Sequence, residues 1–103
     1  MRLYIAGPMT GRPDFNFPAF FAAERDLIAA GHETSNPARN GQGAPDMGWV
    51  DYMRRDIADL LTCDGIAILD GWGESRGALL EVHIADALAL PVKRVDQWID
   101  GDA

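Results

Sequence analysis

The chain has 103 residues, 48% of them hydrophobic, and we expect one domain over residues 1–103, large enough for a core but small for an enzyme with a closed pocket. Its formal net charge of -7 argues against binding of polymeric nucleic acid, although backbone N–H groups and one or two arginines could hold a small anion. No apolar stretch approaches the ~20 residues of a membrane span, so we expect a cytoplasmic protein without a membrane partner. Cys63, the single cysteine, is predicted to be a thiol of the core.

Short apolar segments alternate with amphipathic ones along the chain. Strands are predicted at 3–6, 32–37, 65–69 and 90–95, and helices at 19–30, 49–62 and 77–90. This alternation is typical of a parallel sheet with right-handed crossovers and helices on both faces. We therefore predict an α/β fold, a small flavodoxin-like (Rossmann-like) three-layer sandwich with a parallel sheet of about four strands in the order 2-1-3-4. An acidic tail from residue 96 carries Trp98, which would form a subunit contact or pack back on its own domain.

The first predicted strand runs directly into Gly7-Pro8-Met9-Thr10-Gly11, a loop bounded by glycines. Glycine permits positive φ and close backbone approach, and the N–H groups of this loop with the Thr10 hydroxyl could hold a phosphate or a sugar hydroxyl. The loop is neither a dinucleotide fingerprint nor a P-loop, so a structural turn and a ligand loop remain equally open. A second segment, 38–48, is rich in Gly, Asn and Pro and is a candidate lid.

Glu81 is a carboxylate on the apolar face of the predicted helix 77–90. The apolar residues that share this face are Ala78, Ile84, Ala85 and Leu88. An isolated glutamate is seldom buried, because desolvation of its charge is costly and raises its pKa. Ligands of an open α/β sheet bind at the carboxyl ends of the strands, and Glu81 lies one turn into the helix after such an end. Glu81 is therefore predicted to point into a ligand crevice.

Asp56 is a candidate for a second acid. It flanks a predicted buried stripe of helix 49–62, made of Val50, Met53, Ile57, Leu60 and Leu61. Spacing alone favours a solvated edge charge, paired with Arg55 or another nearby base, over a functional acid at this position.

Asp70 follows the third predicted strand, at the end where polar side chains can face a ligand. In the strand order 2-1-3-4, the carboxyl ends of strands one and three lie side by side. We therefore expect residues 7–11, Asp70, Ser75 and Glu81 to converge on one crevice.

One half-buried glutamate, a nearby acid and a glycine loop suit cleavage of a glycosidic bond. In that reaction a glutamate attacks the anomeric carbon through an oxocarbenium-like state, and a second acid assists the leaving group. For a nucleoside, the leaving group is a base. This chemistry needs no cofactor and no metal, and the sequence predicts neither.

Four segments together resemble the nucleoside 2-deoxyribosyltransferase and deoxynucleotide N-hydrolase superfamily, and most closely its small DUF4406 branch. These segments are Tyr4-Ile5-Ala6-Gly7-Pro8-Met9-Thr10-Gly11, Met53-x-x-Asp56, Cys63-Asp64-Gly65-Ile66 and Ser75-x-Gly77-Ala78-x-x-Glu81. The resemblance implies that Glu81 is a nucleophile forming a covalent deoxyribosyl intermediate. It also implies that Asp56 is the acid for the leaving base, which raises this residue above the solvated-edge interpretation, and that Tyr4 orients or polarises the nucleophile.

In the hydrolase branch, the same resemblance implies a 5'-phosphate held by the backbone of residues 8–11 with Ser75 and Gly77. The predicted substrate-binding residues are thus Gly7, Pro8, Met9, Thr10, Gly11, Asp70, Ser75 and Gly77. The longer transferases supply groups to a partner's site from a C-terminal segment that has no clear counterpart after Val95. Base selection is therefore not predicted.

The expected partner is a small nucleoside or nucleotide, and the expected activity is transfer or hydrolysis at its N-glycosidic bond. The main alternative is a non-catalytic module that binds or senses a nucleotide in the same crevice. A third interpretation is a small interaction protein that uses its acidic surface with Trp72 or Trp98. We also expect a homo-oligomer, a dimer or tetramer, because a small four-stranded sheet leaves edges and helix faces uncovered.

Overall fold

The structure, a computed structural model, describes residues 1–40 and 48–100. Its strands are β1 (Arg2–Ala6), β2 (Glu33–Ser35), β3 (Gly65–Ile68) and β4 (Val92–Arg94). Its α-helices are α1 (Phe17–Ala29), α2 (Trp49–Leu60), α3 (Arg76–Ala87) and α4 (Val95–Ile99), and short 3-10 turns occur at Pro13–Asn16, Pro37–Arg39 and Trp72–Glu74. Within these two ranges, no helix has the length and apolarity needed to cross a membrane.

The four strands form one parallel sheet in the order β2-β1-β3-β4. This confirms the predicted α/β fold and strand order. Tyr4 of β1 pairs with Ser35 of β2 on one side and with Ile66 of β3 on the other. The carboxyl ends of β1 and β3 therefore lie next to each other, and each is followed by a loop that can face a ligand.

The core lies on both faces of this sheet, because alternate residues of a strand point to opposite sides. Leu3 and Ile5 of β1 pack with residues of α1 and with Trp98 of α4. Tyr4 and Ala6 pack on the other face with residues of α2 and α3 and with Cys63, which is a buried thiol as predicted. Burial on both faces explains why β1 and β3 read as continuous apolar runs.

The buried face of α2 differs from the predicted stripe. It consists of Tyr52, Met53, Asp56 and Leu60. Val50 and Leu61 are 55% and 58% exposed, so the prediction was wrong at both ends of the stripe. Val50 and Leu61, the residue that ends α2, lie on the same side of this helix, roughly 100° around it from the centre of the buried face. Leu88, predicted on the buried face of α3, likewise ends that helix and is 53% exposed.

Trp98 packs back on its own domain. The predicted acidic tail begins with α4, where Trp98 is 7% exposed and joins the core on the α1 side of the sheet. Its indole Nε1–H donates a hydrogen bond of 2.8 Å to the carbonyl of Ile66. This ring therefore anchors α4 to the middle of β3.

We expect Trp98→Ala to lower the free energy of unfolding by about 3–5 kcal/mol, because it removes a buried ring and leaves a cavity. Trp98→Phe keeps most of the ring but removes the donor to Ile66, and its cost should be smaller, about 1–3 kcal/mol. Denaturant unfolding measures both values. Leu88→Ala, at an exposed apolar site, is the control and should change stability by less than about 0.5 kcal/mol. A Trp98→Ala variant as stable as this control would contradict the role of Trp98 as an anchor.

Candidate active site

A pocket of about 790 Å³ opens at the carboxyl end of β1. Its walls come from the loop after β1, the first half of α2, and the beginning of α3. Most residues that the sequence predicted for the site line this pocket; they are Tyr4, Gly7, Pro8, Met9, Thr10, Asp56, Ser75, Gly77 and Glu81. The fold thus brings together side chains that are up to 77 positions apart in the chain.

Two predicted site residues do not line this pocket. Gly11 is exposed in the loop after β1, where its φ of +80° shows that it serves the turn. Asp70 lines a separate depression of about 410 Å³, together with Arg94 and Asp96. The expected convergence of Asp70 with Glu81 is therefore not what the structure shows, because the chain after β3 carries Asp70 toward α4.

Glu81 is buried to 4% exposure and accepts a hydrogen bond at Oε2 from the hydroxyl of Tyr4. Burial raises the pKa of Glu81 to about 8; the Tyr4 hydrogen bond lowers it, and the charge of Asp56 raises it further. Burial also raises the pKa of Tyr4 well above its usual value, with the charge of Glu81 as the next cause. Tyr4 therefore remains a donor at neutral pH, and it holds one oxygen of Glu81 while the other stays available to a ligand.

Asp56 is the second buried carboxyl group of the pocket and is also 4% exposed. The side-chain amide of Asn40 donates a hydrogen bond of 3.0 Å to its Oδ1. Burial raises the pKa of Asp56 to about 6; the Asn40 hydrogen bond opposes this rise, and the nearby charge of Asp59 adds to it. The prediction of a solvated edge charge from spacing alone is wrong, because α2 turns Asp56 toward the sheet and not toward solvent.

The two acids form an electrostatically coupled pair. Between pH of about 6 and about 8, the pair carries roughly one proton, because one group has begun to ionise and the other has not. Near neutral pH the empty pocket therefore has a base at Asp56, whose pKa is the lower of the two, and a proton donor at Glu81.

Gly77 permits the close approach of the two helices that carry these acids. A Cβ atom at position 77 would lie 3.1 Å from the sulfur of Met53 on α2, which is tighter than an ordinary contact. Gly77 also precedes Glu81 by about one helical turn, and Met53 precedes Asp56 by nearly one turn. A side chain at position 77 would therefore displace the side chain of Met53 within the contact between α2 and α3.

A family model described as a domain of unknown function, DUF4406, matches residues 1–94. The chain belongs to the DUF4406 family. The matched range contains the whole sheet, both buried acids of the pocket and Tyr4, and it ends at the last residue of β4. A search of curated proteins found no match to the chain.

Ser75 begins α3 of this DUF4406 protein and also lines the pocket. Its hydroxyl oxygen accepts a hydrogen bond of 3.2 Å from the N–H of Ala78, which is the arrangement of a helix N-cap. Its own O–H remains a possible donor to a ligand. Because Ser75, Arg76 and Gly77 all line the pocket, the positive end of the α3 dipole opens into it.

Several residues of the pocket were missed by the sequence analysis. Arg12 and Arg76 lie at its rim, where Arg12 pairs with Glu74 at 3.3 Å and the guanidinium of Arg76 stacks on the ring of Trp49, 3.8 Å from its centroid. Phe15 also lines the pocket and remains 44% exposed. Arg12 and Phe15 lie in the connector after β1, whereas Trp49 and Arg76 begin α2 and α3, so only the folded chain relates these three segments.

The candidate lid, 38–48, lies largely outside the described residues, because these exclude 41–47. Of its described part, Ala38 is buried beside α1 and Asn40 contacts α2. In the described part of the chain, no group of three or more His, Cys, Asp or Glu side chains is placed to hold a metal ion. The chemical groups that the pocket offers to a ligand include the two acids and their hydrogen-bond donors.

Proposed function

We propose that this DUF4406 protein cleaves or exchanges the N-glycosidic bond of a deoxynucleoside or its 5'-monophosphate. The proposal follows the resemblance of its motifs to the nucleoside 2-deoxyribosyltransferase and deoxynucleotide N-hydrolase superfamily. The observation that carries it is a pair of buried carboxyl groups, Glu81 and Asp56, in one pocket, with the hydroxyl of Tyr4 bonded to Glu81. Two acids at one site match a reaction that uses one carboxyl group as nucleophile and the other as proton donor.

In the first half of the proposed reaction, an oxygen of the Glu81 carboxylate attacks C1' of the sugar. The bond between C1' and the base nitrogen breaks, and its electron pair leaves with the base. Asp56 gives its proton to that base, so the departing group is neutral. Tyr4 holds Oε2 of Glu81, which leaves Oε1 as the attacking atom.

For this step the shared proton must lie on Asp56, whereas in the empty pocket Glu81 has the higher pKa. A sugar that develops positive charge at C1' favours the ionised form of the adjacent Glu81. Attack therefore requires that Glu81 lose its proton and that Asp56 gain one beforehand, at a free-energy cost set by the difference between their pKa values.

In the second half, water or a second base attacks C1' and releases Glu81 as a carboxylate. Asp56, now ionised, accepts the proton that the attacking group loses. Water gives hydrolysis and a base gives transfer, and the residues of the pocket are the same in both cases.

The pocket suits a nucleotide in size and in the placement of its polar groups. Its volume of about 790 Å³ falls within the usual range of small-molecule sites. A 5'-phosphate would lie at the beginning of α3, where Ser75 and the helix dipole favour an anion. Arg76 adds positive charge at the rim in a chain whose net charge is -7, whereas Arg12 is paired there with Glu74.

Chromatography of free base tests the proposal directly. A panel of deoxynucleosides and their 5'-monophosphates is incubated with the protein, with and without an acceptor base. Release of base from at least one substrate is the expected result, and dependence on acceptor separates transfer from hydrolysis. Absence of release from every substrate would contradict the proposed activity.

A second candidate is a non-catalytic module that binds or senses a nucleotide. The raised pKa of Glu81, about 8, favours it, because a neutral Glu81 in the empty pocket serves as a hydrogen-bonding group and not as a nucleophile. In that case nucleotides would raise the melting temperature without release of base, and Glu81→Gln would leave this thermal shift nearly unchanged.

We also propose that the protein is a cytoplasmic homo-oligomer. The exposed apolar side chains Val50 and Leu61, at the two ends of α2, support self-association. We expect light scattering at micromolar concentration to give a mass at least twice that of the monomer, and Leu61→Asp to lower it. Ala58→Ser, at an exposed position of the same helix, is a mild control that should leave the mass unchanged. A strictly monomeric mass for the unaltered chain would contradict the proposal.

A further inference from the structure

Asn40 connects the end of the Pro37–Arg39 turn to α2 through three hydrogen bonds. Its side-chain amide donates to Oδ1 of Asp56 at 3.0 Å and to Oδ2 of Asp59 at 2.8 Å. Its main-chain carbonyl accepts a hydrogen bond of 2.8 Å from a guanidinium nitrogen of Arg55. A single residue outside α2 thus contacts three side chains of that helix, one of which is an acid of the pocket.

The geometry of the amide restricts what Asp56 can do. A primary amide has two N–H bonds, and Asn40 directs one to each carboxyl group. An oxygen that accepts an N–H bond is a poor place for a proton, so a neutral Asp56 carries its proton on Oδ2. The other amide hydrogen holds Asp59 and fixes the side chain of Asn40 in this orientation.

We propose that Asn40 is a positioning residue for Asp56: it holds Oδ1 and so leaves Oδ2 as the oxygen that gives and takes the proton in the pocket. The role in turnover rests on the proposed function. The effect of Asn40 on the ionisation of Asp56 does not, because it is a property of the protein without substrate.

Four charged or titratable groups face Asp56 besides the Asn40 amide. Asp59 and Arg55 lie on its own helix, Glu81 faces it from α3, and Tyr4 faces it from β1. Asp59 favours the neutral form of Asp56, and Arg55 and the amide of Asn40 favour the ionised form. Removal of the Asn40 donor should therefore raise the midpoint of the Asp56 titration, and removal of the Asp59 charge should lower it.

Carbon-13 NMR of the side-chain carboxyl groups measures this titration, with the Asp56 signal assigned by its loss in Asp56→Asn. Asn40→Leu has nearly the shape of asparagine without a donor, so it limits entry of water. We expect Asn40→Leu to raise the Asp56 midpoint by about 0.5 to 1 pH unit. Asp59→Asn keeps the Asn40 amide opposite Asp56 and is expected to lower that midpoint by a similar amount.

Asn40→Ser tests rescue, because a hydroxyl can donate one hydrogen bond. Its midpoint should lie between those of the unaltered protein and Asn40→Leu. If Asn40→Leu does not fold, Asn40→Ser and Asp59→Asn still give shifts of opposite sign. An Asp56 midpoint that does not respond to changes at position 40 in folded protein would overturn the proposal.

Kinetics separate this proposal from the proposed function. With an active substrate, Asn40→Leu is expected to lower kcat by about tenfold or more with little change in KM, since the amide acts through the acid and not on the ligand. If no substrate releases base but the Asp56 midpoint shifts as expected, the glycosidic activity is wrong and the positioning of Asp56 by Asn40 is supported. A KM effect with unchanged kcat and an unchanged midpoint would contradict the positioning role.

Discussion

Glu81→Gln is expected to lower the rate of base release by at least about 10³-fold, because an amide cannot attack C1' or leave it as a carboxylate does. The substitution keeps the size of the side chain and an oxygen that can accept the hydrogen bond from Tyr4. Binding should therefore be nearly retained, and the loss should appear in kcat. Chromatographic assay of base release with the best substrate measures the effect.

Glu33→Gln is the matched control for this experiment. Glu33 is an exposed residue of the edge strand β2, and its loss should leave the rate within about twofold. Mass spectrometry of acid-quenched protein gives an independent readout, because a covalent intermediate places a deoxyribosyl group on Glu81. Turnover by Glu81→Gln within about tenfold of the unaltered protein would contradict a nucleophilic role for this residue.

The same substitution is expected to stabilise the folded protein, by an amount that grows as the pH rises from about 4 to about 8. The pKa of Glu81 is about 8 in the folded chain, whereas an ordinary glutamate has a pKa of about 4.3. Between these values the folded state binds more protons than the unfolded state, so the free energy of unfolding falls as the pH rises. Above pH of about 8 the cost of the buried charge is complete. Glutamine has no charge to bury and avoids this cost.

We expect Glu81→Gln to be more stable than the unaltered protein by roughly 2–4 kcal/mol at pH 9, and by little at pH 4. Denaturant unfolding at a series of pH values measures the difference. Asp56→Asn should show the same trend with a smaller gain, because the pKa of Asp56 is raised only to about 6. If the free energies of unfolding of Glu81→Gln and the unaltered protein change with pH in the same way, Glu81 is not desolvated in solution.

Together, these two predictions describe a site in which the burial of an acid lowers the stability of the fold and serves the proposed reaction. Loss of rate with a gain in stability is the signature of a buried functional acid. In a binding module, Glu81→Gln would raise the free energy of unfolding in the same way, but the unaltered protein would release no base and so there would be no rate to lose. The pair of measurements therefore separates the two functional candidates.

The sequence by itself determined the order of the elements and the part of the fold where the pocket lies. Buried strands of a parallel sheet read as continuous apolar runs, and the alternation of strands with helices leaves few topologies. The position of Glu81 followed from the helical period, because a face of α3 that packs on the sheet is a local property of that helix. The loop after β1 was also apparent, since its glycines are local signals.

Only the tertiary structure decided the surroundings of these residues. Asp56 is buried because of the way α2 packs against α3 and β1, and Asn40 reaches it from a loop with no regular pattern. Asp70 faces another depression although it follows a central strand. Periodicity describes one helix or strand at a time. The rotation of a helix against its neighbours, and the atoms that meet there, depend on packing between residues far apart in the chain.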